Sequence, residues 1–200
     1  MIRVLHLRDT DRVCGPGKTI METVARIDKS RYQVSIGLLM RYSEKENAYL
    51  DACLSRGIDA VAIRALHQFD PGIIFKIAAK VRQEGIHILH SHEYKSDIIA
   101  YLVSKIVSVS IVTTAHGWIS NSRKSRLYIW LQKRVFPKFD RIIAVSPKIE
   151  SEILRTGAER DKVNLIFNAI VAENYDPSIY ERGCLRRRFG IPDDGVIVGN

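Results

Sequence analysis

Short apolar runs alternate with helical stretches along most of the chain. Seven runs have few polar interruptions and predict strands buried on both faces: residues 2–7, 32–39, 58–63, 87–90, 111–115, 141–145 and 163–167. Apolar residues at helical spacing predict helices between them, over residues 18–27, 48–54, 71–84, 96–107, 123–136 and 147–154. Strands that alternate with helices at this interval predict a Rossmann-like α/β domain, with a mostly parallel sheet and helices on both faces.

The last thirty residues do not continue this series. A short basic helix is predicted over residues 185–189, and the run GVIVG at 195–199 predicts a strand. We expect this strand to begin a second domain, the alternative being an edge strand of the first sheet. The expected division is a Rossmann-like domain over residues 1–170, followed over 171–200 by a linker and the first strand of a truncated C-terminal domain.

Composition excludes several classes of protein. The 200 residues are 46% hydrophobic and 26% charged, which is ordinary for a globular protein. The three cysteines lie far apart without metal-binding spacing, as expected in a reducing cytosol. Charged residues follow the N-terminus too closely for a signal peptide, and the apolar stretch over 98–112 is too short to span a bilayer. We therefore expect a cytoplasmic protein.

The formal net charge of +9 indicates an anionic partner. Nucleic acid, anionic lipid and a phosphorylated small molecule all satisfy this requirement. The sequence contains no recognition-helix signature, no zinc-finger spacing and no RNP-like aromatic strand, so we expect no nucleic acid partner.

The segment CGPGKT, residues 14–19, follows the first predicted strand. It is not a phosphate-binding P-loop, because Arg12 stands where that motif needs glycine, and it is not a dinucleotide fingerprint, because Ile20 replaces the third glycine. A glycine-rich turn with free amides at a helix start still favours an anion. The alternative is a plain strand-to-helix turn. The candidate binding residues here are Gly15, Pro16, Gly17 and Lys18.

Two further strand ends carry polar side chains. His90 and His92 follow the fourth strand with Glu93 beside them, but HxH alone is a weak metal signal and no third ligand is evident, so we expect no metal. We expect His90 to be packed, and His92 and Glu93 to line a cleft. The fifth strand ends at His116, Gly117 and Trp118. A histidine there can bond a sugar hydroxyl or a phosphate, and the tryptophan can stack on a sugar; the alternatives are a backbone-bonded histidine and a core tryptophan.

The predicted helix over 123–136 has a basic face. Its members fall in an arc about 100° wide: Arg123, Arg126, Trp130, Lys133 and Arg134. Basic residues around an aromatic suit an anionic membrane surface or a nucleic acid backbone, and a solvated helix face is the alternative. The neighbouring arc is predicted to face the core, and its members are Leu127, Tyr128, Leu131 and Val135.

The order and spacing of these motifs resemble the N-terminal domain of retaining GT-B glycosyltransferases of the large family 4 type. The resemblance covers essentially the whole chain and rests on five segments: GPGKT, LHSHEYKSDIIA (89–100), TTAHGW (113–118), DRIIAVSPKIESEIL (140–154) and KVNLIFNAI (162–170). In that family two Rossmann-like domains face each other across a cleft. The N-terminal domain mainly binds the acceptor, and the C-terminal domain mainly binds the nucleotide sugar.

The resemblance implies roles for individual residues. His116 is implied to reach toward the transferred sugar as the catalytic residue of this domain. Gly15 and Gly17 are implied to form the glycine-rich loop near the donor's phosphates or the acceptor, although Pro16 splits the usual glycine pair and Lys18 stands where an acid is often found. His92 resembles the polar residue of the preceding strand end. Ser146 and Asn168 match positions near the cleft and the interdomain linker.

The implied reaction transfers a hexose-type sugar, with retention, from a nucleotide-diphosphate sugar to a growing polysaccharide or lipid-linked glycan. No further cofactor is expected, and a peripheral position on the inner membrane face is suggested by the basic helix. The family's paired glutamates and diphosphate-binding basic residues belong to a C-terminal domain absent from this sequence, so we expect the 200 residues alone to be inactive. The rival interpretations are a GT-B nucleotide-sugar epimerase, with Glu93 as its only good carboxylate, and a non-enzymatic basic module that binds membrane or nucleic acid.

Overall fold

The computed structural model describes residues 1–68, 70–118, 122–176, 178, 183–192 and 194–198. The chain divides into two compact units, Met1–Asn168 and Ala169–Asn200. All strands of the described residues lie in the first unit. None of the helices within these ranges is both long and apolar enough to cross a bilayer.

Strands and helices alternate through the first unit as predicted, with bounds that shift by a few residues. The strands are β1 (Ile2–Arg8), β2 (Tyr32–Arg41), β3 (Ala60–Ala65), β4 (Ile88–Ser91), β5 (Ser110–Ala115), β6 (Arg141–Ala144) and β7 (Val163–Leu165). The helices are α1 (Gly15–Arg26), α2 (Ala48–Leu54), α3 (Gly72–Glu84), α4 (Tyr94–Ser104), α5 (Arg123–Val135) and α6 (Pro147–Leu154). Short 3₁₀ helices cover Phe136–Lys138, Arg160–Lys162 and Ala172–Tyr175.

The sheet is parallel throughout, in the order β3-β2-β1-β4-β5-β6-β7. This confirms the predicted Rossmann-like α/β fold. The chain starts at the centre, runs outward through β2 and β3, and returns to build β4 to β7 on the other side of β1. Ligands of open parallel sheets bind outside the carboxyl ends of the strands, at the point where the order reverses. That point lies between β1 and β4.

Two hydrophobic clusters cover the two faces of the sheet, because successive side chains of a strand point to opposite faces. Leu5 and Leu7 of β1 join a cluster that also contains buried residues of α3, α4 and α6. Ile36 and Leu38 of β2 join a second cluster, with buried residues of α1 and α2. The strands are therefore covered by helices on both sides, which is why their sequences are nearly continuous apolar runs.

The second unit contains one α-helix among its described residues, α7 (Cys184–Phe189), close to the predicted basic helix. Glycines in the left-handed conformation flank it, Gly183 at φ 76° and Gly190 at φ 62°. The strand predicted over 195–199 does not form across its described residues 195–198, which lack the ladder partner that a strand needs, and residue 199 lies outside the described ranges. That this segment begins a second domain stays a prediction.

Candidate functional site at the carboxyl edge of the sheet

Four histidines lie on one face of the sheet, near its carboxyl edge. His6 and His90 are register partners on β1 and β4, and His92 follows His90 by two residues, so their side chains share a face. His116 comes directly after β5. Ring centroids are 4.6 Å apart for His6 and His90, 4.4 Å for His90 and His92, and 5.9 Å for His92 and His116. We call these four residues the histidine row.

Hydrogen bonds hold only part of this row. Nδ1 of His6 lies 2.8 Å from Nε2 of His92, and Nε2 of His90 lies 2.9 Å from Oγ1 of Thr114. Within the described part of the chain, no partner is found for the buried Nδ1 of His92 or for either buried ring nitrogen of His116. A buried polar group without a partner costs about 1–3 kcal/mol. Such groups are completed by a bound water, an ion or a ligand.

The histidines of the row are neutral at physiological pH. Burial lowers the pKa of His6 and of His116 to about 4, and the positive charge of Arg8 lowers both further in the same direction. Burial also holds the pKa of His90 and His92 well below the ordinary value. A neutral imidazole donates one hydrogen bond and accepts another, so His116 offers both functions to a hydroxyl group.

Arg8 connects three of the strand-end segments, although its side chain is only 1% exposed. Its Nε donates to Oε1 of Glu93 at 2.5 Å, which joins the end of β1 to the start of α4. The guanidinium lies 4.9 Å from the ring centroid of Tyr49 on α2. A Cβ built on Gly17 would lie 3.4 Å from Nη1, so the guanidinium also faces the first turn of α1. Nη1 has no hydrogen-bond partner among the described residues.

Neither Arg8 nor His6 is among the site residues predicted from the sequence. Both lie in a strand whose other central residues are apolar, and they alternate with the core residues Leu5 and Leu7. The available signal was therefore a histidine and an arginine two residues apart at the carboxyl end of a buried strand. The predicted strand ends at Leu7, where charge begins, and so leaves Arg8 out.

The predicted glycine-rich turn is the first turn of α1, which begins three residues earlier than predicted. Proline is tolerated there because its missing N–H has no intrahelical partner to lose. Gly17 has a packing role: a Cβ would lie 2.5 Å from Cε2 of Tyr49, whose hydroxyl donates to the Gly17 carbonyl oxygen at 3.1 Å. Gly15 faces open space, and Lys18 is exposed. No side chain caps the helix start, so its amides remain available to an anion.

His92 and Glu93 are less open than predicted. His92 is 6% exposed and lies behind His116, between it and His90. Glu93 is the N-cap residue of α4, and its second carboxylate oxygen accepts from the backbone N–H of Asp9 at 3.1 Å. Because its other oxygen accepts from Arg8, the Glu93 carboxylate connects the start of α4 to the end of β1 through two hydrogen bonds.

Trp118 ends a chain of hydrogen bonds that starts at a buried carboxylate. Its Nε1 donates to Oε1 of Gln132 at 2.7 Å, and the Gln132 amide donates to Oδ2 of Asp97 at 2.5 Å. Ser91 and Thr113 donate to Oδ1 of the same carboxylate. Burial raises the pKa of Asp97 to about 7, against the lowering effect of these donors. This hydrogen-bond network lies on the face of the sheet opposite the histidine row. It fixes the position of Trp118, and so of the segment that follows His116.

The remaining predicted residues have mainly structural contacts. Gly117 has φ +103°, a conformation that other residues rarely adopt, so it sets the turn after His116. Ser146 caps α6 by accepting from the backbone N–H of Ile149 at 3.3 Å. Asn168 is exposed at the last position of the first unit.

The basic face of α5 differs from the predicted one at two positions. Leu127 was predicted to face the core, but 57% of it is exposed. The buried face of α5 includes the polar residue Gln132, whose side-chain amide donates a hydrogen bond to the buried carboxylate of Asp97. The side chain of Lys133 is 41% exposed, and its Nζ lies 4.7 Å from the ring centroid of Trp118 and 4.0 Å from a carboxylate oxygen of Glu152. Arg123, Arg126 and Arg134 are exposed, as is Trp130, whose ring centroid lies 4.4 Å from the Arg134 guanidinium.

A crevice of about 330 Å³ opens at the carboxyl ends of β1, β2 and β3. Its polar lining includes Asp9, Arg41, Asn47, Asp70 and Lys95. Its volume lies at the lower end of the range for small-molecule sites, and carboxylates, amides and ammonium groups are suited to hydroxyl-rich ligands. The crevice and the histidine row lie at the same edge of the sheet.

A Rossmann-like parallel sheet with polar side chains at the carboxyl edge beside β1 and β4 is the arrangement expected for the N-terminal domain of a GT-B fold. The sequence model of Glycosyltransferase Family 4 matches residues 13–174. The chain therefore belongs to Glycosyltransferase Family 4, as the sequence resemblance predicted. No curated protein sequence matches it.

Solved structures share the fold at low sequence identity. Alr3699/HepE of Anabaena, in complex with UDP-glucose, superposes with a TM-score of 0.77 at 16% identity and covers 96% of this chain and 51% of its own. A glycosyltransferase from Rickettsia africae gives a TM-score of 0.73 at 16% identity, covering 96% and 50%. A UDP-N-acetylglucosamine 2-epimerase gives 0.63 at 10% identity, covering 84% and 48%. The chain thus spans about half the length of these structures.

We expect the free energy of unfolding to fall as the pH falls from 6.5 to 4.5. The four histidines have folded pKa values below that of the unfolded chain, so unfolding takes up protons in this window and acid destabilises the fold. Asp97 and Glu93 act in the opposite direction, because burial raises the folded pKa of each carboxyl group above its unfolded value. Urea unfolding across this pH range should give a net uptake of about 2–3 protons near pH 5.

Replacement of one histidine tests the origin of this effect. His116→Gln should reduce the uptake near pH 5 by about one proton. Stability that stays constant or rises on acidification would show that the row is not neutral in the fold.

Proposed function

We propose that this chain is the acceptor-side domain of an enzyme that transfers a hexose-type sugar, with retention, from a nucleotide-diphosphate sugar to a glycan or lipid-linked acceptor. The main support is a set of buried groups at the carboxyl edge that find no hydrogen-bond partner among the described residues: both ring nitrogens of His116 and Nη1 of Arg8. A neutral imidazole suits a sugar hydroxyl, and a guanidinium suits a phosphate. Membership of Glycosyltransferase Family 4 supports the reaction class.

The donor is proposed to approach at the first turn of α1. Three features together favour an anion such as a diphosphate: the uncapped helix start, the open space beside Gly15, and Nη1 of Arg8, which has no partner in the part of the chain that the structure describes. The neighbouring structure of Alr3699/HepE was solved with UDP-glucose, which supports a nucleotide sugar as the donor class. The reaction needs no further cofactor in this proposal.

The acceptor is proposed to enter the crevice at the ends of β1, β2 and β3. Asp9 pairs with Lys95 at 3.2 Å, and Asn47 donates to the Thr10 carbonyl oxygen at 2.9 Å, so the lining is fixed before a ligand binds. Fixed polar groups select the orientation of a hydroxyl-rich ligand without the entropy cost of ordering them. A volume of about 330 Å³ suits the terminal sugar of a longer glycan.

The epimerase alternative is weaker than transfer. The fold is shared with a UDP-N-acetylglucosamine 2-epimerase, so the fold alone does not separate the two reactions. An epimerase needs a free acid or base beside the sugar. Glu93, the only good candidate in the sequence, is held by Arg8 at 2.5 Å and by the backbone N–H of Asp9.

His116→Ala should lower kcat/KM for sugar transfer by about 100-fold or more in the protein that carries both domains, because a hydrogen bond to the reacting sugar is lost. The assay follows radiolabelled UDP-glucose, and then other nucleotide sugars, into glycan and lipid acceptors. The matched control is His87→Ala, since His87 precedes β4 at the opposite edge of the sheet. The 200-residue chain alone should show no turnover.

Three results would contradict the proposal. Full transfer activity of the His116→Ala variant would remove the residue from the site. Robust turnover by the 200 residues alone would show that no second domain is needed. Conversion of the nucleotide sugar to its epimer without transfer would favour the epimerase.

We further propose that α5 holds the enzyme at the inner face of an anionic membrane. Its exposed surface combines Arg123, Arg126 and Arg134 with the apolar side chains of Leu127 and Trp130, which are 57% and 51% exposed. Arginines around an apolar centre suit the boundary between headgroups and acyl chains. This position would suit a lipid-linked acceptor.

Flotation with vesicles rich in anionic phospholipid tests the membrane proposal. The unmodified chain should float, and reversal of the three arginines to glutamate should abolish flotation, because each basic residue contributes roughly 1 kcal/mol near such a surface. The control reverses Lys29, Arg31 and Lys45, three exposed bases elsewhere, and so changes the net charge equally. Equal loss in both variants, or no binding by the unmodified chain, would refute a specific membrane face.

A further inference from the structure

We infer that His6, His90 and His92 form a binding site for a transition-metal ion of the zinc class, with three imidazole ligands and one open position. We call it the three-histidine site. Each residue offers one ring nitrogen, and these three atoms lie within 4.8 Å of one another. The inference does not depend on the proposed sugar transfer.

The strand geometry brings the three ligands together. His90 and His92 are two residues apart at the end of β4, so they project to the same side, and His6 is the register partner of His90 on the adjacent strand. A pair at this spacing on one strand with a third histidine from its neighbour gives three ligands on one side of an ion. Three histidines with a vacant fourth position form one of the zinc arrangements found in enzymes.

Small movements of the rings are enough to admit an ion. Zinc binds imidazole nitrogen at about 2.0–2.1 Å, which places tetrahedral ligand atoms about 3.3 Å apart. Nδ1 of His6 and Nε2 of His92 are 2.8 Å apart, joined by one proton that the ion would replace. The most separated pair of ligand atoms, at no more than 4.8 Å, must approach by about 1.5 Å, which a rotation about the side-chain bonds supplies.

The electrostatic conditions favour an ion in two respects. Metal ions bind neutral imidazole, and burial keeps these three histidines neutral at physiological pH. Arg8 is the charged group facing the site, and Glu93 pairs with it at 2.5 Å, which offsets its repulsion of a cation.

The surroundings of the site also fit an ion. Histidine ligands usually form a second hydrogen bond that fixes the ring, and Nε2 of His90 lies 2.9 Å from Oγ1 of Thr114. His90 and its register partner Val112 are half-buried, so one side of the cluster opens to solvent. An ion here would also fix the ring of His92, which lies against His116.

The expectation that no metal binds rested on the absence of a third ligand near the HxH pair. His6 supplies that ligand from a position more than eighty residues earlier in the chain. The sequence spacing that identifies most zinc sites does not apply to it, because the sheet register makes the association.

Titration of the metal-free 200-residue chain with Co²⁺ tests the inference without an activity assay. We expect one ion per chain, with the intense visible absorption of tetrahedral cobalt, without the near-ultraviolet charge-transfer band of a thiolate, and displaced by Zn²⁺. X-ray absorption of the zinc form should show three nitrogen ligands at about 2.0–2.1 Å. The absence of a thiolate charge-transfer band would show that none of the three cysteines is a ligand of the cobalt ion.

Variants identify the ligands. His6→Gln and His92→Gln should each weaken binding by more than the roughly 10- to 100-fold that loss of an outer hydrogen-bond partner costs, and Thr114→Val should weaken it by about 10-fold. His87→Gln, with an exposed histidine at the other end of β4, should bind as the unmodified chain does. Far-ultraviolet circular dichroism checks that each variant is folded.

Several outcomes would overturn the inference: no stoichiometric binding at micromolar Co²⁺, a thiolate band, or unchanged binding in both ligand variants. If a ligand variant fails to fold, the native chain still decides, because fewer than three nitrogen ligands in the zinc spectrum would refute the site. Loss of sugar transfer has no bearing on any of these measurements.

Discussion

The ion pair between Arg8 and Glu93 is the interaction on which the candidate site depends. A guanidinium that is 1% exposed is stable only with a close counter-charge, and Glu93 provides it at 2.5 Å. Because the pair joins the end of β1 to the N-terminus of α4, it holds the carboxyl ends of β1 and β4 side by side. The same guanidinium lies against Tyr49 and the first turn of α1. Together with burial, its charge also helps to keep His6 and His116 neutral.

In β1 and β4, core residues and candidate site residues alternate, so each kind lies on its own face of the sheet. In β1, Leu5 and Leu7 enter the core, while His6 and Arg8 project to the other face. In β4, Leu89 is a core residue, while His90 is the register partner of His6. A one-residue shift between these strands would place the histidines in the hydrophobic core. The site is therefore fixed by the same strand pairing that builds the fold, and not by loops alone.

The sequence was sufficient for the fold because strand and helix periodicity are local properties. All seven strands of the first unit were predictable from apolar runs, and α2 and α6 from the spacing and capping of their residues. The association of His6 with His92 was not predictable, since it depends on register between strands separated by more than eighty residues. The position of Leu127 was predicted wrongly because the apolar spacing of α5 takes no account of Asp97 on another helix. The hydrogen bond from Gln132 to Asp97 places Gln132 on the buried face of α5, and Leu127 is exposed.

A double-mutant cycle on the ion pair tests the central claim most directly. Unfolding free energies are measured for the unmodified chain, Arg8→Met, Glu93→Gln and the double variant. If the buried pair holds β1 and α4 together, each single change costs about 3–5 kcal/mol, and the double variant loses much less than the sum, because neither charge is then left alone. Additive losses would show that the two residues act independently and that this ion pair does not hold β1 and α4 together.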